Sequence, residues 1–384
     1  MAKEKKEKDG VVDSVKVAAE RFFQQNKGNI YDKVDEPYVV STGVVPLDLE
    51  LGGGIPSGIL VRLLGVPTSG KSSEGLLIIK NFLETRKRAR ALIIPTEARL
   101  TEKLRNRSGV KFVEKPEDWV NGTCLILPMN VYEKLASFIY TLVKTNEMHK
   151  PDNRENFIFM VDSMDYLTLE SDLEKDFHEA RKVAGPQYLT KILWSKLALP
   201  FMAGQHIFLA ISQQSAAPKI DARAKDPLRQ GGSSGGTNIQ YQSSLVIDFS
   251  LRYEGDYILA DETEKYDPEK NDKIGHVVKA VIRKSDVERY DVKFEYSVKY
   301  GRTGGNSVWI ERDLVNVLKD WHLITGAGSW YTMDADLVKE IRVFSPEFPE
   351  KLQGINAWYE VLTNDRKVLE FLINKFKEIY ASTK

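Results

Sequence analysis

The chain has 384 residues, 42% hydrophobic and 29% charged, a composition that excludes a disordered or fibrous protein and, at roughly 150 residues per domain, suggests two or three units. Lys plus Arg and Asp plus Glu each total 55, so no global positive field marks a nucleic-acid binder and any such site must come from local clustering of charge. The one cysteine, Cys124, excludes an internal disulfide and a multi-cysteine metal site and suits a reducing compartment, with the cytosol as the expected location.

The opening MAKEKKEKDG is a charge cluster with no apolar segment behind it, which reads as a solvated tail rather than a secretion signal. No apolar run approaches the roughly 18 residues of a membrane span. Val12, Val15, Val17, Ala18 and Phe22 recur at helical spacing, predicting a helix to Gln25 that Gly28 stops. From there apolar runs alternate with amphipathic stretches. Ile59–Leu64, Ala91–Pro95, Thr123–Leu127, Phe157–Val161 and Ile207–Ile211 read as buried strands, and Ser72–Arg86, Val131–Asn146 and Gln187–Met202 as helices. Such alternation predicts an α/β fold with a mostly parallel sheet and helices on both faces. After Gly236, Leu245–Tyr253, His276–Arg283 and Lys293–Tyr300 read as antiparallel strands extending the sheet, separated by the polar stretch Asp261–Lys273. Gly301-Arg302-Thr303-Gly304-Gly305 marks a boundary. Helices at Val308–Trp321 and Lys367–Tyr380, around the short segment Ser329-Trp330-Tyr331, then form a small helical C-terminal domain. No internal repeat is visible.

The strongest chemical signal is Gly65-Val66-Pro67-Thr68-Ser69-Gly70-Lys71-Ser72, which fits G-x-x-x-x-G-K-[ST] between a buried run and an amphipathic helix. Glycines there let successive N–H groups face phosphate oxygens, helped by the positive end of the following helix. Lys71 would neutralise the β- and γ-phosphates and Ser72 would ligate Mg²⁺. A ligand-free glycine turn is the bland alternative, and both flanks speak against it. Asp162, directly after Phe157–Val161, either caps the next segment or holds the metal; beside a phosphate loop the metal role is preferred. Glu97, just past Ala91–Pro95, either activates a water or complements the dipole of the next helix.

Several local signals then join. Ser41-Thr42-Gly43, Leu47-Asp48 and Leu51-Gly52-Gly53-Gly54-Ile55-Pro56-Ser57-Gly58 lead into the phosphate loop in a way that resembles the RecA superfamily of homologous recombinases. The resemblance continues through Thr96-Glu97-Ala98, Val161-Asp162-Ser163, Ile211-Ser212-Gln213 and Tyr300-Gly301. It reaches Thr325-Gly326-Ala327-Gly328-Ser329-Trp330-Tyr331 and Gln353-Gly354-Ile355-Asn356-Ala357-Trp358, covering nearly the whole chain. Length and local divergence suit a bacterial RecA or a phage recombinase of the UvsX type. The resemblance implies a RecA-like ATPase core at 37–302, preceded by a tail and polymerisation helix at 1–36 and followed by a small C-terminal α/β domain at 303–384. It implies a DNA-dependent ATPase that uses ATP and Mg²⁺, forms a helical filament on single-stranded DNA and pairs it with a homologous duplex, without membrane contact and served by single-strand-binding and loader proteins. Glu97 would polarise the attacking water, Gln213 would sense the γ-phosphate, and Tyr300 with Gly301 would pack on adenine; Ser73 joins the phosphate-loop residues as a nucleotide contact. In Lys279-Ala280-Val281-Ile282-Arg283-Lys284, Arg283 and Lys284 would reach phosphates bound by a neighbouring subunit, the alternative being a basic solvated strand face.

The family binds DNA through two loops. The first, about 168–186, is acidic early (Glu170, Asp172, Glu174, Asp176), so only its late basic residues Arg181 and Lys182 are assigned to DNA. The second, about 214–237, carries Lys219, Arg223, Lys225 and Arg229 against Asp221 and Asp226, and ends in a glycine-rich run including Gly235 and Gly236. It offers only Ile220 and Leu228 as bulky aliphatics and no aromatic side chain to wedge between bases. Thr101 and Leu104 stand where the family has an acid and an aromatic near adenine. The five histidines form no ligand spacing and read as surface or capping residues. Within the same fold a ring-forming ATPase or helicase is the rival, and outside it a non-catalytic single-strand-binding mediator. The C-terminal Trp330/Trp358 region argues against the first and the intact Lys71, Ser72, Glu97, Asp162 set against the second.

Overall fold

Apolar runs that are buried on both sides become strands of one parallel sheet, because only coverage by helices on both faces satisfies them. The computed structural model describes residues 2–26, 35–97, 99–173, 185–214, 242–261, 266–267, 269–270, 272–286 and 291–382. The strands are β1 (Val39–Val40), β2 (Ile55–Pro56), β3 (Leu60–Gly65), β4 (Ala89–Pro95), β5 (Phe112–Val113), β6 (Thr123–Ile126), β7 (Asn156–Asp162), β8 (Ile207–Gln213), β9 (Leu245–Phe249), β10 (Tyr257–Leu259), β11 (Lys273–Lys284) and β12 (Val292–Lys299). β9, β3, β8, β7, β4, β6 and β5 lie side by side in that order and run parallel. β11 continues the sheet antiparallel to β9, with β10 and β12 paired to it.

Helices α1 (Ala2–Gln25), α2 (Val45–Glu50), α3 (Lys71–Thr85), α4 (Glu102–Ser108), α5 (Tyr132–Glu147), α6 (Glu170–Leu173) and α7 (Gly185–Gly204) complete this part of the chain. Strand alternation sends Val61, Leu63 and Ile93 to the α3 side, where they meet Leu76, Ile78 and Phe82. Leu60, Leu92 and Phe159 face the other way, onto Leu135 and Ile139 of α5 and Leu197 and Phe201 of α7. Each fully buried side chain of this size contributes about 1.5–3 kcal/mol. Asp48 of α2 accepts the Thr42 N–H and hydroxyl, both at 2.7 Å, and the Ser41 hydroxyl, so the Ser41-Thr42-Gly43 and Leu47-Asp48 signals are two halves of one buried turn.

The C-terminal part holds helices Ile310–Asp320, Ala335–Arg342, Ile355–Asn364 and Arg366–Ser382 around a three-stranded antiparallel sheet of β13 (Ile324–Ala327), β14 (Trp330–Met333) and β15 (Lys351–Gln353). Its core of Leu314, Leu337, Trp358, Leu372 and Phe376 also takes in Val45 and Leu49 of α2 and Ile258 of β10. Lys377 Nζ lies 3.2 Å from Asp48 across the same contact.

Some expectations need correction. The helix expected from Val12 runs from Ala2, so the charged opening continues it rather than fraying as a tail. β9 is parallel to β3 and antiparallel only to β11, because its direction is set by how the chain returns to the sheet. β10 lies at the edge of the sheet before the polar stretch. The C-terminal domain, expected to be helical, also holds a hairpin strand that includes Trp330 and Tyr331. Gly28, expected to stop α1, lies outside the described residues. Among the described residues no helix is long and apolar enough to cross a membrane.

Candidate active site

β3 ends at Gly65, and the chain turns through Val66, Pro67, Thr68, Ser69 and Gly70 into α3. Gly65 has φ 151°, and a Cβ there would sit 2.5 Å from the Phe249 carbonyl oxygen of β9. Gly70 caps α3 in the left-handed region, so the free N–H groups of the first helical turn open onto the loop. Lys71 Nζ donates to Gly65 O at 2.8 Å, Val66 O at 2.6 Å and Ser69 Oγ at 3.4 Å. Burial draws its pKa down, against the pull of Asp162 and Glu97.

β8, β7 and β4 lie in turn beside β3, and each ends in a functional candidate at the same edge of the sheet. Asp162 ends β7 and accepts a hydrogen bond from the Ser72 side chain; burial raises its carboxyl above the usual range. The Asp162–Ser163 peptide bond is cis. Glu97 follows β4, held by Thr96 N–H donating to Asp162 O at 2.9 Å and Thr96 Oγ1 to Ser163 O at 2.7 Å. Its Oε1 accepts Ser163 Oγ at 2.5 Å and Gln213 Nε2 at 2.8 Å, and its Oε2 pairs with Arg99 Nε at 3.2 Å. Thr101 caps α4 by accepting the Leu104 N–H at 3.3 Å, so Glu97 is not spent on that helix's dipole. Ser72 and Asp162 form a hard-oxygen pair at the loop. No cluster of three or more His, Cys, Asp or Glu suited to a metal occurs among the described residues. By the chemistry of its oxygens the pair fits an ion such as Mg²⁺, which takes few protein ligands and completes its shell with phosphate and water.

A cleft of about 360 Å³ runs from Thr68, Ser69, Gly70, Lys71, Ser72 and Ser73 to Tyr300. Its far wall carries Arg107, Arg252 and His276. Arg107 Nη2 donates to Ser73 Oγ at 2.7 Å; His276 lies 2.7 Å from Arg252 Nη2 and, through Nδ1, 3.1 Å from the Tyr300 hydroxyl. Burial, and then Arg252, pull His276 down to about 4. Gly301 turns the chain away after Tyr300 with φ 79°. A larger groove of about 620 Å³ lies between α2, β11, β12 and helix Ile310–Asp320 and contains no residue of the phosphate loop.

Gly65–Ser73, Glu97, Asp162, Gln213, Tyr300 and Gly301 are thus brought to one place. Arg283 and Lys284 are not. β11 pairs Lys284 with Val246, while the loop end Gly65 stands level with Phe249; Arg283 Nε instead meets Asp248 at 3.1 Å and its Nη1 meets Asp291 at 3.3 Å. Arg181, Lys182, Lys219, Arg223, Lys225, Arg229, Gly235 and Gly236 lie outside the described residues. The histidine expectation is corrected in part: His149 and His322 are exposed, but His206 and His276 are buried, one in the core and one in the cleft, and His178 is outside the described residues. Sequence reading missed Arg107, Arg252, Asp165, Asp248 and Arg62. Of these Arg62 and Asp248 leave a trace in the sequence, each as a charge interrupting a buried run.

No family model matches the chain. It is 24% identical to Protein RecA of Leptospira biflexa, over 91% of this chain and 82% of that protein. Protein RecA of Leptospira meyeri is 24% identical over 83% of this chain and 73% of its own length, and that of Methylococcus capsulatus 21% over 83% and 82%. Low in identity but running over most of both chains, these likenesses support a relationship to the RecA family, and the mixed α/β architecture with its mostly parallel sheet agrees with a RecA-like core.

Proposed function

We propose that this chain is an ATP-dependent DNA strand-exchange recombinase that forms a filament on single-stranded DNA and pairs it with a homologous duplex. The observation that carries the reading is the 2.8 Å contact between Gln213 Nε2 and Glu97 Oε1 at the mouth of the phosphate loop. It joins the residue that would orient water to the strand leading into the basic, glycine-rich second loop, so that nucleotide state and DNA contact share one hydrogen bond.

In the reaction, water attacks the γ-phosphorus as the bond to the β-phosphate oxygen breaks, releasing ADP and phosphate. Lys71 neutralises the β- and γ-oxygens, and Glu97 orients the water and draws on its proton. Ser72 and Asp162 would hold Mg²⁺, which when bound offsets phosphate charge. Tyr300 and Gly301 pack on the base, and Ser73 lies against the same nucleotide. Arg283, which meets Asp248 and Asp291 in its own chain, and Lys284 serve the nucleotide of the next subunit, with the segments 1–36, 37–302 and 303–384 acting as polymerisation arm, ATPase core and C-terminal domain. Arg181, Lys182, Lys219, Arg223, Lys225, Arg229, Gly235 and Gly236 contact the DNA backbone, leaving sequence to base pairing. The reading holds for a bacterial or a phage recombinase working in the cytoplasm, with single-strand-binding and loader proteins as partners.

Glu97→Gln tests the chemistry. It should cut ATP turnover by about 10²-fold or more while ATP still binds. Full turnover would remove Glu97 from the reaction and leave the phosphate-loop reading standing.

A further inference from the structure

Arg62 sits within β3 between Val61 and Leu63 and is fully buried. A guanidinium there is tolerated only with partners, since an uncompensated buried charge is strongly unfavourable. The neighbouring elements supply them. β3 lies between β8 and β9, and Arg62 Nε donates to Ser212 Oγ of β8 at 3.2 Å. Ser212 and Asp248 both stand opposite Leu64, two residues along β3, so all three share the Arg62 face of the sheet. Asp165, on the turn after β7, brings a second carboxylate, and Asp165 and Asp248 together favour the Arg62 charge against its burial.

Each carboxylate has another engagement. Asp165 Oδ2 accepts the backbone N–H of Gln213 at 2.5 Å. Asp248 Oδ2 receives Arg283 Nε at 3.1 Å. We infer that Arg62 is a positioning residue that couples Gln213 to Arg283, through Asp165 on one side and Asp248 on the other. The inference rests on the recombinase reading, which sends Arg283 to a neighbouring subunit's phosphates. When Arg283 leaves Asp248 for that phosphate, Arg62 is drawn toward the vacated carboxylate, its attraction to Asp165 weakens, and the Gln213 backbone that Asp165 holds shifts with it. One buried cation shared by two carboxylates thus carries the state of one site to the other.

The test is ATP hydrolysis by the full chain with and without single-stranded polydeoxythymidine, for the wild type, Arg62→Met, Arg283→Ala and the double variant, with ATP affinity and melting temperature measured on each. Arg62→Met should keep ATP affinity within about twofold and lose about tenfold of the DNA stimulation. The double variant should lose no more than the worse single one, because both residues act in one chain of contacts. Wild-type stimulation in Arg62→Met, or losses that multiply in the double variant, overturns the inference. So does a parallel fall of affinity, unstimulated turnover and melting temperature, the signature of a merely structural residue. Should Arg62→Met fail to fold, Arg62→Lys decides: it keeps the charge but not the fork, and about threefold or greater loss of stimulation is expected, with full stimulation overturning the proposal. A wild type whose turnover ignores DNA would instead sink the recombinase reading, which is a different failure.

Discussion

Glu97 shows how much of the site is settled by single side chains. Its carboxylate takes one hydroxyl, one amide and one guanidinium donor while only 8% exposed, so its orientation is fixed by three elements at once. Lys71, Ser72 and Asp162 could be grouped from the sequence because a phosphate loop dictates residue type at fixed spacing and Asp162 follows an apolar run, whereas Glu97 stands level with a helix-dipole role until the family resemblance is added. Arg62, Asp165 and Asp248 could not be grouped so, since their meaning lies in contacts among β3, β8, β9 and a turn far apart in the chain. His206 was misread for the same reason. It is fully buried, with Nδ1 accepting the Phe157 N–H at 3.2 Å, and burial, then Arg154, pull its pKa from 6.5 to about 3. The folded state therefore refuses a proton that the unfolded chain accepts. The stability contributed by the neutral ring is fully present above pH 6.5 and is lost as pH falls toward 3, at up to about 1.4 kcal/mol per pH unit. His206→Asn should flatten that slope in urea unfolding between pH 7 and 4. Identical slopes for the two proteins would contradict it.

Among the elements, β3, its loop and α3 form the unit on which the site is built. Its entry glycine is set by contact as well as by conformation. Gly65→Ala would place a methyl 2.5 Å from the Phe249 carbonyl oxygen at φ 151°, so either β9 moves or the loop does. The expected result is a loss of about 2 kcal/mol or more in stability and a fall in ATP affinity beyond about tenfold. Unchanged affinity by titration would mean the loop tolerates the shift and that its geometry matters less than its charge. The long apolar strands and amphipathic helices were legible to within a few residues, because burial on two faces leaves uninterrupted runs. β5 and β10 are too short to show a period. The parallel direction of β9 could not be read either, as strand direction is a property of the connection and not of the run. In the C-terminal sheet Trp330 remains 43% exposed, so no alternation announces the strand.

At the scale of the molecule, the balance of 55 basic and 55 acidic residues means that any affinity for nucleic acid has to be local, and the proposed reading assigns it to the second loop, where four basic residues stand against two acidic ones. The C-terminal core is not separate from the part that carries the phosphate loop, since α2 and β10 enter it and Lys377 meets Asp48. At the other end, α1 leaves Phe22 and Phe23 more than half exposed, which suits an arm that packs on a neighbouring subunit. The recombinase reading proposed above assigns this arm to a cooperative assembly. The most direct measurement is joint-molecule formation between circular single-stranded DNA and a homologous linear duplex, with ATP hydrolysis followed in the same reaction and Lys71→Ala as control. The wild type should form joint molecules only with ATP, its turnover should rise when single strands are added, and Lys71→Ala should do neither; no joint molecules and no DNA-stimulated turnover from the wild type would contradict the recombinase reading.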